Sequence, residues 1–203
     1  GEGPAAVEPA MARAHVVEHA VEDDAQARLV EVPAQRRKGE IGFAGDHVIG
    51  EVADAGAELV VFPETFIPGY PIWMWRLRPG TDMSLTNELY GKLFDNAVNL
   101  ESDDLDPLTA AAKDHSVTVV CGMNERDGTV SRGTLYNTAV VIGSDGNILN
   151  RHRKLMPTHE ERLVWAPGDG HGLRVHDLGG FRVGGLNCWE NWMPLTRAAL
   201  YGQ

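Results

Sequence analysis

Cysteine is nearly missing from this chain, with two in 203 residues, Cys121 and Cys188. They form no Cys-x-x-Cys pair, which excludes a thiolate zinc site and a disulfide scaffold and makes a reduced, cytoplasmic protein the expectation. Long apolar runs are missing too. No stretch approaches the ~18 residues of a membrane span, and the N-terminal region lacks the basic start and apolar core of a signal peptide. Positive charge is scarce, 18 Lys and Arg against 29 Asp and Glu, for a net charge of -11. Such a field repels phosphate backbones and anionic lipids, so neither nucleic acid nor a membrane is an expected partner.

Aromatic residues are absent from one whole segment. All five Trp, four Tyr and five Phe lie from Phe43 onward. Residues 1–42 instead carry Ala, Val, Glu and Arg, with Pro4, Pro9 and Pro33 and the basic run Arg36-Arg37-Lys38. With little to bury they read as an atypical, poorly packed arm, and 43–203 as a partial domain. No Met precedes Met11, and the chain ends at Gln203 inside an expected helix. A fragment of a longer protein is therefore expected.

Helix and strand signals alternate from there on, as in folds that layer helices on sheets. Asp46 can cap a helix whose Val48, Ile49, Val52 and Ala53 recur at helical spacing, with Gly56 to close it. Next comes a strand over 57–62, whose unbroken apolar run predicts burial on both faces and which Pro63 stops just before Glu64. Residues 66–79, rich in Pro, Gly and Trp, read as a structured loop. The pattern predicts helices over 85–99 and 106–115, the second with Pro107 in its first turn, and then a strand over 117–123. Strands over 137–142 and 148–151 flank the turn signal Ser144-Asp145-Gly146-Asn147. A second hairpin turns at Gly179-Gly180, its return strand over 181–186 leads to Cys188, and Pro194 opens a helix through Leu200.

Three polar residues sit where such segments give way: Glu64, Lys154 and Cys188. A cysteine with an ordinary pKa of ~8.5 becomes a nucleophile only beside a cation or base, preferably with helix N-terminal amides as well. Lys154 and Glu64 can supply the first two. Each residue alone also has a plain structural reading: Cys188 as a small buried hydrophobe, Glu64 as a solvated or capping carboxylate, Lys154 as part of a solvated face with Arg151 and Arg153. Cys121, inside its apolar strand, takes the buried reading.

Taken together, their surroundings resemble the three signature blocks of the nitrilase superfamily, carbon-nitrogen hydrolases with a Glu-Lys-Cys set. The blocks are Leu59-Val60-Val61-Phe62-Pro63-Glu64-Thr65-Phe66-Ile67-Pro68-Gly69-Tyr70-Pro71, then His152-Arg153-Lys154-Leu155-Met156-Pro157-Thr158-His159-Glu160-Glu161-Arg162, then Gly185-Leu186-Asn187-Cys188-Trp189-Glu190-Asn191-Trp192-Met193-Pro194-Leu195. Their order and spacing match as well. Cys188-Trp189-Glu190-Asn191, the loop Pro68-Gly69-Tyr70-Pro71 and Gly168-Asp169-Gly170 resemble the nitrilase branch. The resemblance implies an α/β fold, a four-layer α-β-β-α sandwich left incomplete at its C-terminal side. It also implies hydrolysis of a small-molecule nitrile to a carboxylic acid and ammonia, without metal or organic cofactor, in proteins that form homo-oligomers. Cys188 would be the nucleophile, Glu64 the general base and Lys154 the stabiliser of developing negative charge. Glu161 would orient Lys154 or the substrate, with Trp189 (through its backbone N–H) and Tyr70 as substrate-binding or oxyanion groups.

Rival patterns are weaker. His15-Val16-Val17-Glu18-His19 has the spacing of a zinc-binding helix but no evident third ligand. His152 or His159 paired with Cys188 would make a Cys-His hydrolase, a reading that leaves the Phe62-Pro63-Glu64 block unexplained, so both read as supporting or surface groups. Trp73, Trp75, Trp189 and Trp192 could line an aromatic substrate pocket or belong to an ordinary core. The sequence departs from the family in lacking a clear first strand ending in a Val-Gln type pair, for which Val30 to Gln35, broken by Pro33, is a poor candidate. Two classes of function stay open, a nitrile hydrolase or a catalytically silent fragment with exposed sheet edges and helix faces. Within the enzyme class the resemblance also leaves open a cyanide-degrading or amidase member of the same superfamily.

Overall fold

The computed structural model describes residues 41–203 except 130, 179 and 181. Residues 1–40 of the arm, with the His15 to His19 pattern and the Val30 to Gln35 candidate, lie outside the described residues, as does Gly179 of the second turn.

Helix α1 runs Ile41–Asp54, five residues ahead of the expected cap at Asp46. Gly42 and Gly45 make that first stretch look non-helical at ~1 kcal/mol each, and propagation from the packed turns that follow outweighs the cost. Ile49 and Val52 are buried, Val48 and Ala53 pack beside them, and Gly56, at φ 89°, closes the helix by donating to the Ala53 carbonyl. α2 spans Met83–Asn96 and α3 spans Asp106–Asp114 with Pro107 in its first turn. α2 ends three residues short of the expected 99, because Val98 leaves the helix to bridge to Glu125 of the sheet. α1 packs against α3, where Gly50 leaves room for the His115 ring.

The main sheet has strands β1 (Leu59–Val61), β2 (Thr118–Arg126), β3 (Leu135–Ile142) and β4 (Ile148–Arg153), hydrogen-bonded in that order. β1 runs parallel to β2, and β2, β3 and β4 form an antiparallel meander. The Asp145-Gly146 turn joins β3 to β4, with Gly146 at φ 83°. A separate antiparallel pair, β5 (Val175–Asp177) and β6 (Arg182–Gly184), precedes the 3-10 turn Cys188–Trp192 and helix α4 (Pro194–Tyr201).

Alternation along β2 divides the sheet into two faces. Val119, Cys121 and Met123 point into the core that α1 and α3 cover, together with Val140 and Ile142 of β3. Gly122 and Asn124 face the other way, as do Asn137, His152 and, just past β4, Lys154, in register across the sheet. Burial of β1 on both faces does not hold. Val61 is 46% exposed, because it points to this second face where no described residue covers it. A smaller cluster around Met74, Leu93, Leu135 and Trp165 seats α2 and the loop after β4. Among the described residues, no helix is long and apolar enough to cross a membrane, and no cluster of His, Cys, Asp and Glu could hold a metal.

Candidate active site

Glu64 rides on a four-residue excursion from the sheet. Phe62 donates to the Val120 carbonyl, and the chain then leaves β2 over 63–66 before Ile67 rejoins it as a parallel bridge to Met123. Pro63 has no N–H to give the ladder, and Thr65 turns the chain at φ 50°. The excursion crosses β2 at Gly122, where an added Cβ would lie 2.4 Å from the Pro63 carbonyl oxygen and 2.7 Å from Glu64 Cα. Only glycine admits it. Asn124, fully buried, holds the far side of the loop by donating to the Ile67 and Gly69 carbonyls at 3.1 and 3.0 Å, and accepts from Trp165 Nε1 at 2.9 Å.

Lys154 follows β4 directly and its side chain is 1% exposed. Its Nζ donates to Glu64 Oε1 at 2.9 Å and to Glu161 Oε2 at 2.7 Å. Burial alone would pull the lysine pKa down. The hydrogen bonds to Glu161 and Glu64 and the charge of both carboxylates outweigh it and hold the ammonium above its ordinary range. Glu161 is the third residue of the turn His159–Leu163 and completes a capping box with Thr158, its Oε2 also accepting from Thr158 N–H at 2.7 Å. Tyr70 Oη donates to Glu161 Oε1 and accepts from Trp75 Nε1, both at 2.9 Å. Its donor proton is thus committed to Glu161, and burial first, then the adjacent Glu161, raises its pKa despite the Trp75 contact.

Cys188 is exposed and starts its 3-10 turn at φ 53°, a left-handed conformation that costs an ordinary L-residue ~1–2 kcal/mol. Thr65 and His159, on the loops that carry Glu64 and Glu161, share it. Left-handed residues thus gather on the three loops around the lysine, a pattern expected where packing overrides local preference. Partial burial and the Glu64 charge push the Cys188 pKa up, against the opposing pull of Lys154 and a hydrogen bond from Trp189 N–H, with Glu161 adding to the rise. A raised pKa favours the thiol over a standing thiolate at neutral pH. Cys121, by contrast, is buried in β2 and its pKa is raised by burial alone.

Hydrogen bonds join Glu64, Lys154, Glu161 and Tyr70, and Cys188 lies within electrostatic reach of Glu64, Lys154 and Glu161. The structure does not gather the four tryptophans into one pocket. Trp189 and Trp192 are 59% and 75% exposed, while Trp73 packs with Met74 and Trp75 binds Tyr70. One cavity of about 360 Å³ lies against Tyr90, Leu135 and Trp165, and another of about 300 Å³ between Trp73 and Leu163. Neither is lined by Glu64, Lys154 or Cys188. His159 is exposed and His152 is buried against Glu190, so neither imidazole pairs with the thiol.

Residues that sequence reasoning passed over complete the site. Asn137 Nδ2 donates to Glu64 Oε1 at 2.7 Å, and its Oδ1 accepts from Asn187 Nδ2 at 2.8 Å. Glu190 and Asn187 form a capping box around the cysteine turn. The repeated N-cap-x-x-Glu spacing, Thr158 to Glu161 and Asn187 to Glu190, was a readable signal for both loops.

A lysine buried between two carboxylates beside an accessible thiol equips a protein for covalent chemistry at a polarised carbon. A model of the carbon-nitrogen hydrolase family matches residues 17–203, and the chain belongs to that family. An aliphatic nitrilase of Rhodococcus rhodochrous is 44% identical over 154 residues, 76% of this chain and 40% of that protein. A bifunctional nitrilase/nitrile hydratase of Nicotiana tabacum is 39% identical over 159 residues, 78% of this chain and 44% of that protein. The chain spans about two-fifths of the length of these relatives. Among solved structures, an amidase from Nesterenkonia sp. AN1 is 18% identical with a TM-score of 0.57, over 82% of this chain and 57% of its own. That likeness gives the fold, the α/β sandwich of the nitrilase superfamily.

Proposed function

We propose that this chain carries the catalytic face of a nitrilase that converts a small nitrile to a carboxylic acid and ammonia. The observation that carries the reading is the Lys154 ammonium held between Glu64 and Glu161, with Cys188 on a left-handed turn beside them. Glu64 takes the thiol proton as Cys188 Sγ bonds to the nitrile carbon. The nitrogen, gaining negative charge, meets Lys154 and the Trp189 N–H, and protonation leaves a thioimidate. One water adds to its carbon, ammonia departs to leave a thioester, and a second water, deprotonated by Glu64, releases the acid and restores the thiol. Every step is proton transfer, addition or elimination at carbon, so the proposed route calls for no metal or organic cofactor.

In this reading residues 43–203 are the catalytic portion of a cytoplasmic protein whose full-length form is a homo-oligomer. Ammonia release from a panel of aliphatic, aromatic and arylacetonitrile substrates, with cyanide added, tests it against a Cys188→Ala variant. The expected result is release by the parent chain and none by the variant. Equal rates would instead favour a silent site, the second reading, which the exposure of Cys188 and Trp189 supports.

A further inference from the structure

The hydrogen bonds around Cys188 close into a ring that joins Glu64 and Lys154 through residues with no part in the bond-making steps. From Glu64 the ring passes to Asn137 Nδ2 (2.7 Å), and from Asn137 Oδ1 to Asn187 Nδ2 (2.8 Å). Asn187 N–H donates to Glu190 Oε2 at 2.7 Å, and Glu190 Oε1 accepts from Leu155 N–H at 2.6 Å. Leu155 follows Lys154, whose Nζ returns to Glu64. A third donor, His152 Nε2, reaches Glu190 Oε2 at 2.8 Å from two residues before Lys154.

Glu190 therefore ties the Lys154 loop to the Cys188 loop by hydrogen bonds among the described residues. Its side chain is fully buried and accepts from both flanks of Lys154 and from the residue ahead of Cys188. The second ring nitrogen of His152, Nδ1, is buried with no hydrogen-bond partner among the described residues, so Glu190 alone fixes that imidazole by hydrogen bonding. Three N–H donors converging on two oxygens require a carboxylate. A glutamine would turn an NH₂ group toward at least one of those donors, leaving N–H against N–H in a buried site.

We infer that Glu190, oriented by His152, is a positioning residue that holds Cys188 in register with Lys154 and Glu64, an inference that rests on the catalytic reading above. A carboxylate that only stabilised the fold would, when altered, lower the melting temperature and leave the thiol's environment unchanged. One that positions the cysteine also governs its reactivity, because displacement of reacting groups by ~1 Å costs about a hundredfold in rate.

The test uses the full chain with Glu190→Gln, His152→Gln and His152→Ala, all assayed well below their melting temperatures. For folded Glu190→Gln, kcat for ammonia release is expected to fall about a hundredfold with KM within about twofold. Alkylation of Cys188 by iodoacetamide at neutral pH is expected to slow about tenfold, as the turn loses its alignment with Lys154. His152→Gln, which keeps an N–H donor, is expected to recover most of what His152→Ala loses. A folded Glu190→Gln with parental kcat and alkylation rate overturns the inference. If Glu190→Gln does not fold, the histidine pair decides: equal parental rates in both overturn it, and a graded loss supports it. Lys154→Ala and Cys188→Ala separate the two levels. Parental ammonia release in both would sink the catalytic reading, with alkylation still reporting the placement of Cys188. Loss in both beside an unaffected Glu190→Gln would sink the positioning role alone.

Discussion

Gly122→Ala is a sharp perturbation because the atoms it meets are backbone. The new Cβ would lie 2.4 Å from the Pro63 carbonyl oxygen and 2.7 Å from both Glu64 Cα and Thr65 N. Ordinary contact begins near 3.4 Å, so the excursion that carries Glu64 must retreat by about 1 Å. β2 is the less able to move, since it is hydrogen-bonded on both sides within the sheet. Overpacking of this kind costs ~1–3 kcal/mol, which for a domain of this size lowers the melting temperature by roughly 2–4 °C per kcal/mol. The larger effect is catalytic. A ~1 Å displacement of Glu64 relative to Cys188 and Lys154 is expected to reduce kcat about a hundredfold. Ammonia release and thermal unfolding monitored by circular dichroism read the two effects separately. A Gly122→Ala protein with parental kcat would refute the placement of Glu64 as the base, whatever its melting temperature.

Glu161→Gln removes one of the two carboxylates that hold the Lys154 ammonium above its ordinary range. A raised lysine keeps its charge below the unfolded value of ~10.4 and loses it only as pH climbs through the higher folded value, so the alkaline limb of the kcat–pH profile should move to lower pH; an unmoved limb contradicts this. Cys188 alkylation should show a midpoint above the ~8.5 of a free thiol, moving further up in Lys154→Ala, and a midpoint below 7 would speak against a protonated resting state. Glu125 is fully buried and receives Arg151, Arg153 and the Thr138 hydroxyl, which outweigh its desolvation and hold its pKa below the usual range. It therefore stabilises the fold above the unfolded glutamate value of ~4.3 and loses that contribution as pH falls through its lower folded value. Glu125→Gln should destabilise the chain by ~3–5 kcal/mol in urea unfolding, and an unchanged midpoint would show the pair to be dispensable.

Local chemistry made much of this structure legible in advance. Pro107, Pro194 and the Asp145-Gly146 turn placed two helices and a hairpin within a few residues, because each fixes its own backbone. The Glu64, Lys154 and Glu161 meeting was legible only through the family blocks, since nothing local says that loops 90 residues apart in sequence share one ammonium. What escaped were features set by partners far along the chain. α2 gives up Val98 to the sheet, and Val61 is exposed because the second face is uncovered there. Glu190 was quoted as part of a motif without a role, as its three donors come from two separate loops. The tryptophans stayed undecided between pocket and core, because composition shows aromatic weight and not direction; Trp73 packs against a core cluster while Trp189 and Trp192 are exposed.

Intact-mass spectrometry of the chain mixed rapidly with a small aliphatic nitrile tests the covalent route most directly. A transient adduct on Cys188 of the nitrile's mass, converting to the acyl form as ammonia appears and missing in Cys188→Ala, is the predicted result. Ammonia released at the same rate with no adduct on Cys188, or with the cysteine replaced, would contradict it.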